Sequence, residues 1–240
     1  MDMTLYPDHN FCMILQIETA TTTCSVALAH DDKVLAFKEA TERNIHAEVI
    51  TTFIDEILGN AGVEYHQLDA VAVSSGPGSY TGLRIGISTA KGLCFALDKP
   101  LIAIDTLQAM AYGAAYRAQN TNSTGVLFCP MIDARRMEVF TAVFSAAHQQ
   151  LQSTSAEIID ENSFGTLLKD NKVLFFGDGS AKCKAVLGNN GNSIFMDEFT
   201  NSARDLSIIA LEKFFNKDFE DVAYFEPYYL KEFIAGKKAL

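Results

Sequence analysis

Residues 70–86, Ala-Val-Ala-Val-Ser-Ser-Gly-Pro-Gly-Ser-Tyr-Thr-Gly-Leu-Arg-Ile-Gly, decide the fold of this chain. The short apolar run 70–73 is typical of a buried strand. Two glycines and a proline follow within residues 74–80, and such residues interrupt regular structure. From Thr81 to Leu97 the apolar pattern takes the period of a helix. A strand, a glycine-rich loop and a helix in this order can direct backbone N–H groups toward an anion.

Small residues recur in this helix every four positions, at Gly82, Gly86 and Ala90. Residues four apart lie in one row on a helix surface. Because a glycine inside a helix costs about 1 kcal/mol relative to alanine, a compensating close contact is expected. The simplest candidate is another backbone or another helix.

The loop matches none of the common phosphate-binding templates. The spacing of Gly76, Gly78 and Gly82 fits neither the P-loop nor the dinucleotide fingerprint. No nucleophile elbow of the form G-x-S-x-G occurs. The residues alone therefore leave two interpretations open, a loop that contacts phosphate and a purely structural tight turn.

Residues 75–86, followed by Ala90-Lys91-Gly92, resemble the signature of the TsaB (YeaZ) family. This family is part of the glycoprotease-like (peptidase M22-like) group within the actin/Hsp70/sugar-kinase superfamily, and weaker matches extend over nearly the whole chain from Met13. The resemblance implies an α/β protein with a two-lobed, actin-like (ribonuclease H-like) fold. Each lobe is expected to hold a mixed sheet with helices.

The resemblance also implies a function and a set of partners. The family is the non-catalytic partner in forming N6-threonylcarbamoyladenosine on tRNA. The expected partners are a TsaD-type catalytic paralogue, a TsaE-type ATPase and, when the protein is alone, a second copy of itself. The tRNA would be contacted only through the complex, and no cofactor is expected.

A partner interface is expected on two helices, because in the family the helices at 44–58 and 81–97 pack against the same pair from a partner. The apolar face of the first helix is wider than one sheet requires. The expected interface residues are Ile45, Val49, Ile50, Phe53, Gly82, Ile85, Gly86, Thr89 and Ala90.

Composition narrows the class of protein. At 240 residues with 48% hydrophobic content, one compact unit or two small lobes can form a sizeable core. The net charge of −11 argues against a protein that binds nucleic acid alone, since that needs clustered Lys and Arg. The five scattered cysteines predict buried thiols in a reducing cytosol. No apolar run is long enough for a membrane span, and no signal peptide is recognised, so a cytoplasmic location is expected.

Two lobes are expected, at residues 1–118 and 119–240, with the polar run 119–124 as their boundary. Residues 1–12 lack periodicity and are interpreted either as a disordered arm or as preceding a true start at Met13. Beyond the central strand and helix, strands are predicted at 14–17, 24–29, 34–38, 101–104, 126–132, 137–144, 157–159 and 173–176, and helices at 44–58, 105–118, 161–169 and 202–216. Asn44 is the expected N-cap of the first helix, and a Ser202-x-x-Asp205 capping box is expected for the last.

Two enzymatic alternatives compete with the partner-protein hypothesis. Catalytic relatives in the glycoprotease group carry a His-x-x-x-His metal pair, and the corresponding positions here are Thr106 and Met110. Neither residue suits a catalytic ion bound by oxygen and imidazole, so no metal site and no catalytic residue are predicted. A kinase-like phosphotransferase would need an aspartate at the first loop, where this chain has Glu18.

Three glycine- or hydroxyl-rich segments are candidates for nucleotide contact, two because they resemble loops of the superfamily and the central loop because of its strand-loop-helix layout. They are the first loop after Glu18, the central loop and the later Gly177-Asp178-Gly179-Ser180 run. The alternative for each is a purely structural turn, and the residues alone favour it. The candidate contact residues are Thr19, Thr21, Gly76, Gly78, Gly177 and Gly179.

Overall fold

The computed structural model describes residues 11–118 and 125–231, and within them the chain builds two lobes around two five-stranded sheets. The expected arm at 1–12 and the expected boundary at 119–124 lie mostly or wholly outside the described residues. In the first sheet the strand order is β3-β2-β1-β4-β5. Its strands are β1 (Met13–Glu18), β2 (Thr23–His30), β3 (Lys33–Thr41), β4 (Ala70–Gly76) and β5 (Leu101–Asp105).

The second sheet repeats the arrangement of the first. Its order is β10-β9-β6-β7-β8, so that β6 lies in the middle between an antiparallel and a parallel neighbour, as β1 does. This repeated order confirms the expected two-lobed, actin-like α/β fold with a mixed sheet in each lobe. The strands are β6 (Val126–Asp133), β7 (Glu138–Phe144), β8 (Gln150–Ile158), β9 (Lys172–Phe176) and β10 (Ser193–Met196).

Helices cover both faces of the first sheet. On one face α1 (His46–Ala61) and α2 (Tyr80–Leu97) pack against apolar residues of β1, β2 and β4. On the other face α3 (Thr106–Ala118) and α6 (Ser207–Phe215) pack against the remaining strand faces. Two shorter helices, α4 (Gly165–Asp170) and α5 (Ser180–Leu187), pack on β9 in the second lobe.

The chain returns to the first lobe after completing the second sheet. The Ser207 hydroxyl donates to Gln16 Oε1 at 3.0 Å, and the amide of Ala203 donates to Ser25 Oγ at 3.0 Å. Further along, the amide of Glu220 donates to the carbonyl of Leu101 at 2.9 Å. The expected C-terminal lobe at 119–240 therefore supplies the second sheet, while its last described segments complete the first lobe.

Several predicted boundaries were wrong, for local reasons. Asn44 has a left-handed backbone (φ 62°) and α1 begins at His46 without a side-chain cap. Phe164 also has a left-handed backbone (φ 58°), which delays α4 to Gly165 instead of residue 161. The expected capping box at 202–205 is absent, because the Ser202 hydroxyl donates to Glu39 Oε2 and caps no helix.

The predicted strand at 157–159 is the end of a longer one. β8 runs from Gln150 to Ile158 and pairs only with β7, at the edge of its sheet. An edge strand with polar residues on both faces lacks the alternation that marks a half-buried strand. The sequence therefore revealed only its last residues, and α5 and β10 were missed altogether.

All five cysteines are buried and none is disulfide-bonded, as the sequence predicted. Within 11–118 and 125–231, no helix combines the length and apolar character that crossing a membrane requires.

Candidate functional site

The glycine-rich loop and the start of α2 pack directly on the first loop, which follows β1. The amide of Ser79 donates to the carbonyl of Ala20 at 2.6 Å, and Ser79 Oγ caps α2 by accepting from the amide of Gly82 at 3.2 Å. A Cβ atom at Gly78 would overlap the carbonyl of Ala20. One at Gly82 would overlap the carbonyl of Thr19. The contact that the small residues require is therefore an internal one, between two loops of the first lobe.

Glu18 organises the first loop. Its carboxyl is 1% exposed, and Oε1 accepts from the amide of Ala20 at 2.6 Å and from the Ser74 hydroxyl at 3.1 Å. Burial raises the pKa of this carboxyl from its ordinary value of 4.5 to about 7, against the opposite effect of these hydrogen bonds. Both hydrogen bonds join Glu18 to its own lobe, so the side chain holds the loop in place.

The six nucleotide-contact candidates do not come together. Thr21 and Gly78 line the cleft between the lobes, whereas Thr19 is fully buried behind the glycines of α2. Gly76 is covered by the carbonyl of Tyr228. Nucleotide contact through any of these residues stays a prediction.

The later glycine loop forms part of the opposite wall of the cleft. Gly177 and Gly179 pack against the backbone of β6, and neither of them lines the cleft. Asp178 does line it and accepts at Oδ1 from the amide of Asp133 at 3.0 Å. The aspartate between the two glycines is thus the residue that this loop presents to the cleft.

A cleft between the two lobes has a volume of about 1490 Å³. The first lobe contributes the first loop, the start of α1 and the start of α2. The second lobe contributes the turn between β6 and β7. Residues 228–231 close one side, so the walls combine segments that are far apart in the sequence.

The C-terminal segment 223–231 contacts the glycine-rich loop of the first lobe and also the second lobe. The amide of Tyr228 donates to the carbonyl of Ser75 at 2.8 Å. The Tyr229 ring stacks on that of Tyr80 with centroids 4.6 Å apart, and Lys231 forms an ion pair with Glu138. Sequence reasoning missed these contacts, because the only signal was the Pro-Tyr-Tyr-Leu run at 227–230, which gave no indication of what it touches.

Thr106 and Met110, which the sequence comparison placed at the expected metal-binding pair, take part in packing and hydrogen bonding inside the fold. Thr106 Oγ1 accepts from the amide of Gly76 at 3.2 Å, which joins α3 to the glycine-rich loop. Met110 is 1% exposed and its methyl group packs beside Gly177. Among the described residues, no group of three or more His, Cys, Asp and Glu is placed to hold a metal ion.

The residues expected at a partner interface separate into two sets. Ile50, Phe53, Gly82, Gly86 and Ala90 are buried within their own lobe. The half-buried set, which α1 and α2 leave accessible, is Ile45, Val49, Ile85 and Thr89. Next to Ile85 lies an open depression of about 550 Å³ formed by one side of α2. Only the half-buried set can touch a partner directly without rearrangement of the lobe.

Comparison with known proteins identifies the family. A model of the TsaD family, described as tRNA N6-adenosine threonylcarbamoyltransferase, matches residues 39–227. The tRNA threonylcarbamoyladenosine biosynthesis protein TsaB of Escherichia coli (strain K12) is 30% identical over a match that covers 94% of this chain and 97% of that protein. The chain belongs to the TsaD family as a TsaB-type member.

Two further relatives agree with the TsaB assignment. TsaB of Haemophilus influenzae is 41% identical over 127 residues, so this match spans about half of each protein, 53% of this chain and 51% of the other. The solved structure of YeaZ from Pseudomonas aeruginosa superposes with a TM-score of 0.74 at 25% identity, covering 91% of this chain and all of that one. The resemblance to TsaB (YeaZ) that the sequence indicated is confirmed.

Proposed function

We propose that this chain is a non-catalytic partner subunit in the biosynthesis of N6-threonylcarbamoyladenosine on tRNA. The observation that carries the proposal is the match to Escherichia coli TsaB, which runs through 94% of this chain and 97% of that protein. That relative is a tRNA threonylcarbamoyladenosine biosynthesis protein. The proposed place of action is the cytoplasm.

The side chains at the enzymatic positions support a non-catalytic role. Thr106 and Met110 are engaged in packing and in a hydrogen bond to the glycine-rich loop. Glu18 is held by two hydrogen bonds inside the lobe. The side chains at the positions where an enzyme would need catalytic groups stabilise the fold instead. Such a chain is suited to assist a catalytic paralogue of the TsaD type, together with a TsaE-type ATPase.

The proposed surface for that paralogue is the accessible side of α1 and α2. Ile45, Val49 and Ile85 leave apolar area half exposed there, and Thr89 lies one turn beyond Ile85. An exposed apolar face on a protein is typical of an interaction site. When the paralogue is absent, a second copy of this chain occupies the same surface and gives a homodimer.

Reconstitution tests this function directly. The TsaD-type and TsaE-type proteins from the same organism are combined with tRNA and the threonylcarbamoyl donor, with and without this chain. Mass spectrometry of digested tRNA is expected to show the modified nucleoside only when this chain is present. Equal product without it would contradict a partner role, and product from this chain alone would contradict a non-catalytic one.

A further inference from the structure

Three arginines surround the interlobe cleft without partners in the described ranges. Arg43 precedes α1 in the first lobe, and Arg135 and Arg136 form the turn between β6 and β7 in the second. All three are exposed and line the cleft. Within residues 11–118 and 125–231, none of their guanidinium groups makes a hydrogen bond or an ion pair, so all three are available for an anion.

The acidic residues of the same cleft are already engaged. Asp133 forms an ion pair with Lys182, and Glu138 forms one with Lys231. Asp178 accepts a hydrogen bond from the amide of Asp133. The cleft therefore keeps a local cationic surface in a chain whose net charge is −11. A protein with this overall charge has few places where a phosphate-bearing ligand can approach.

The backbone at these arginines is unusual. Arg135 and Arg136 have left-handed conformations, with φ of 73° and 49°, and so does Asn44 beside Arg43, with φ of 62°. Glycine adopts this conformation without the steric cost that a side chain brings. Two consecutive arginines occupy turn positions where glycine would adopt the same backbone without strain. Their presence places two positive charges at the cleft. Strained residues of this kind cluster at binding sites.

Aromatic surface lies beside the charge. Tyr228 lines the cleft and is 47% exposed, and Phe140 lines the wall that the second lobe contributes. Grooves that bind single-stranded nucleic acid combine positive charge along the backbone with aromatic rings on which bases stack. Arginine is suited to the phosphates because its planar guanidinium forms two parallel hydrogen bonds.

The size and shape of the cleft favour a strand of RNA over a single nucleotide. Its volume of about 1490 Å³ exceeds the range of roughly 300–1,000 Å³ that is usual for small-molecule pockets. Gly78 packs so closely on Ala20 of the first loop that not even a Cβ atom fits between them. The free charge lies instead at the open surface, on both lobes.

We propose that the interlobe cleft binds a single-stranded segment of tRNA, with Arg43, Arg135 and Arg136 on its phosphates and a base against Tyr228. This inference rests on the proposed function, which supplies tRNA as the nucleic acid. It assigns this chain a direct contact with the substrate, whereas the sequence suggested contact only through the complex.

The test measures tRNA binding by the full-length chain at low ionic strength, through the fluorescence anisotropy of an end-labelled tRNA transcript. One variant replaces Arg43, Arg135 and Arg136 with alanine, and a second replaces them with lysine. A matched control removes three exposed lysines that lie outside the cleft, Lys33, Lys169 and Lys172, by alanine substitution. Both alanine triples change the net charge equally, so a general charge effect would appear in both.

Alanine at the three cleft arginines is expected to weaken tRNA affinity at least tenfold. Alanine at the three control lysines should leave the affinity near that of the wild type. The arginine-to-lysine variant keeps part of the affinity, which also shows that the turn still folds. The slope of log affinity against log salt should fall by about two, since each phosphate contact on a single strand contributes about 0.7. A single-stranded oligouridylate should compete better than an RNA duplex with the same number of phosphates.

Three results would overturn the inference. The first is that the wild type does not bind tRNA. The second is that both alanine triples lose the same amount of affinity. The third is that the wild type binds ATP instead of RNA, and that the alanine triple at the cleft abolishes this ATP binding. The reconstitution assay is independent of these outcomes. A wild-type chain that is required for tRNA modification but shows no cleft-dependent RNA binding would reject the RNA site and leave the partner function intact.

Discussion

Gly86 lies so close to Thr19 that a Cβ atom at position 86 would overlap the Thr19 hydroxyl oxygen. Four residues earlier on α2, Gly82 has the same relationship to the Thr19 carbonyl. The small-residue row thus fits α2 against the first loop of its own lobe. This contact supplies the compensation that two glycines in a helix require.

Alanine at Gly86 is expected to destabilise the protein by about 1–3 kcal/mol, because an added methyl group overpacks a site that has no free volume. Gly92, also on α2, is the matched control, since a Cβ there meets nothing within 4 Å. Gly92→Ala should stabilise by about 0.5–1 kcal/mol through helix propensity alone. Urea unfolding of both variants measures the difference. Equal effects of the two substitutions would show that Thr19 does not constrain α2.

Glu18 should make stability depend on pH. Its folded pKa of about 7 lies above the ordinary value of 4.5, so its contribution is complete at low pH and is lost as pH rises toward 7. The corresponding loss is about 3 kcal/mol, at roughly 1.4 kcal/mol per pKa unit. Glu18→Gln keeps an acceptor oxygen for Ala20 and Ser74 but cannot ionise.

The measurement for Glu18 is the free energy of unfolding of wild type and Glu18→Gln at several pH values from about 5 to about 8. The wild type should lose stability relative to the variant as pH rises across this range. Acids of the second lobe, such as Asp178, titrate in both proteins and cancel in the difference. Asp205 interacts electrostatically with Glu18 and does not cancel completely. A constant difference between the two proteins would mean that Glu18 does not titrate in this window.

The centre of the first lobe could be predicted from sequence because its signals are local. The run Val71-Ala72-Val73 is apolar throughout, since β4 is buried between helices on both faces of the sheet. Asp105, where the helix at 105–118 was predicted to begin, accepts at Oδ1 from the amide of Gln108 at 2.9 Å. Strong apolar runs and caps are properties of short segments and need no knowledge of the rest of the chain.

The walls of the cleft could not be predicted, because they depend on contacts between distant segments. Nothing near Tyr228 in the sequence shows that its amide meets Ser75. The position of Arg135 across the cleft from Arg43 follows only from how the two sheets are joined. That Gly86 faces the first loop of its own lobe could not be predicted for the same reason. A row of small residues on a helix does not indicate whether the close neighbour is part of the same lobe or of a partner.

Protein purified without a histidine tag is expected to carry no stoichiometric zinc or iron. The physical reason is that Thr106 and Met110 are engaged inside the fold and offer no imidazole or carboxylate. Elemental analysis by inductively coupled plasma mass spectrometry measures this. One transition-metal ion per chain that survives dialysis would contradict the assignment of both positions as structural.

Ile85→Glu should weaken self-association about tenfold or more, because a carboxylate would be buried without a partner at the proposed interface. The control is Leu151→Glu, at an exposed apolar position on β8 in the other lobe. Sedimentation velocity at matched concentrations compares both with wild type, which is expected to dimerise at tens of micromolar. A monomeric wild type, or a dimer unaffected by Ile85→Glu, would place the interface elsewhere.

The central claim, that this chain is needed for threonylcarbamoyladenosine formation, is tested most directly by depleting it from its own cell. The measurement is the amount of N6-threonylcarbamoyladenosine in digested total tRNA, by mass spectrometry, in a strain without a duplicate gene. The modified nucleoside should fall as the protein is depleted and return when the wild-type chain is supplied. An unchanged amount of the nucleoside after the protein has disappeared would contradict the account.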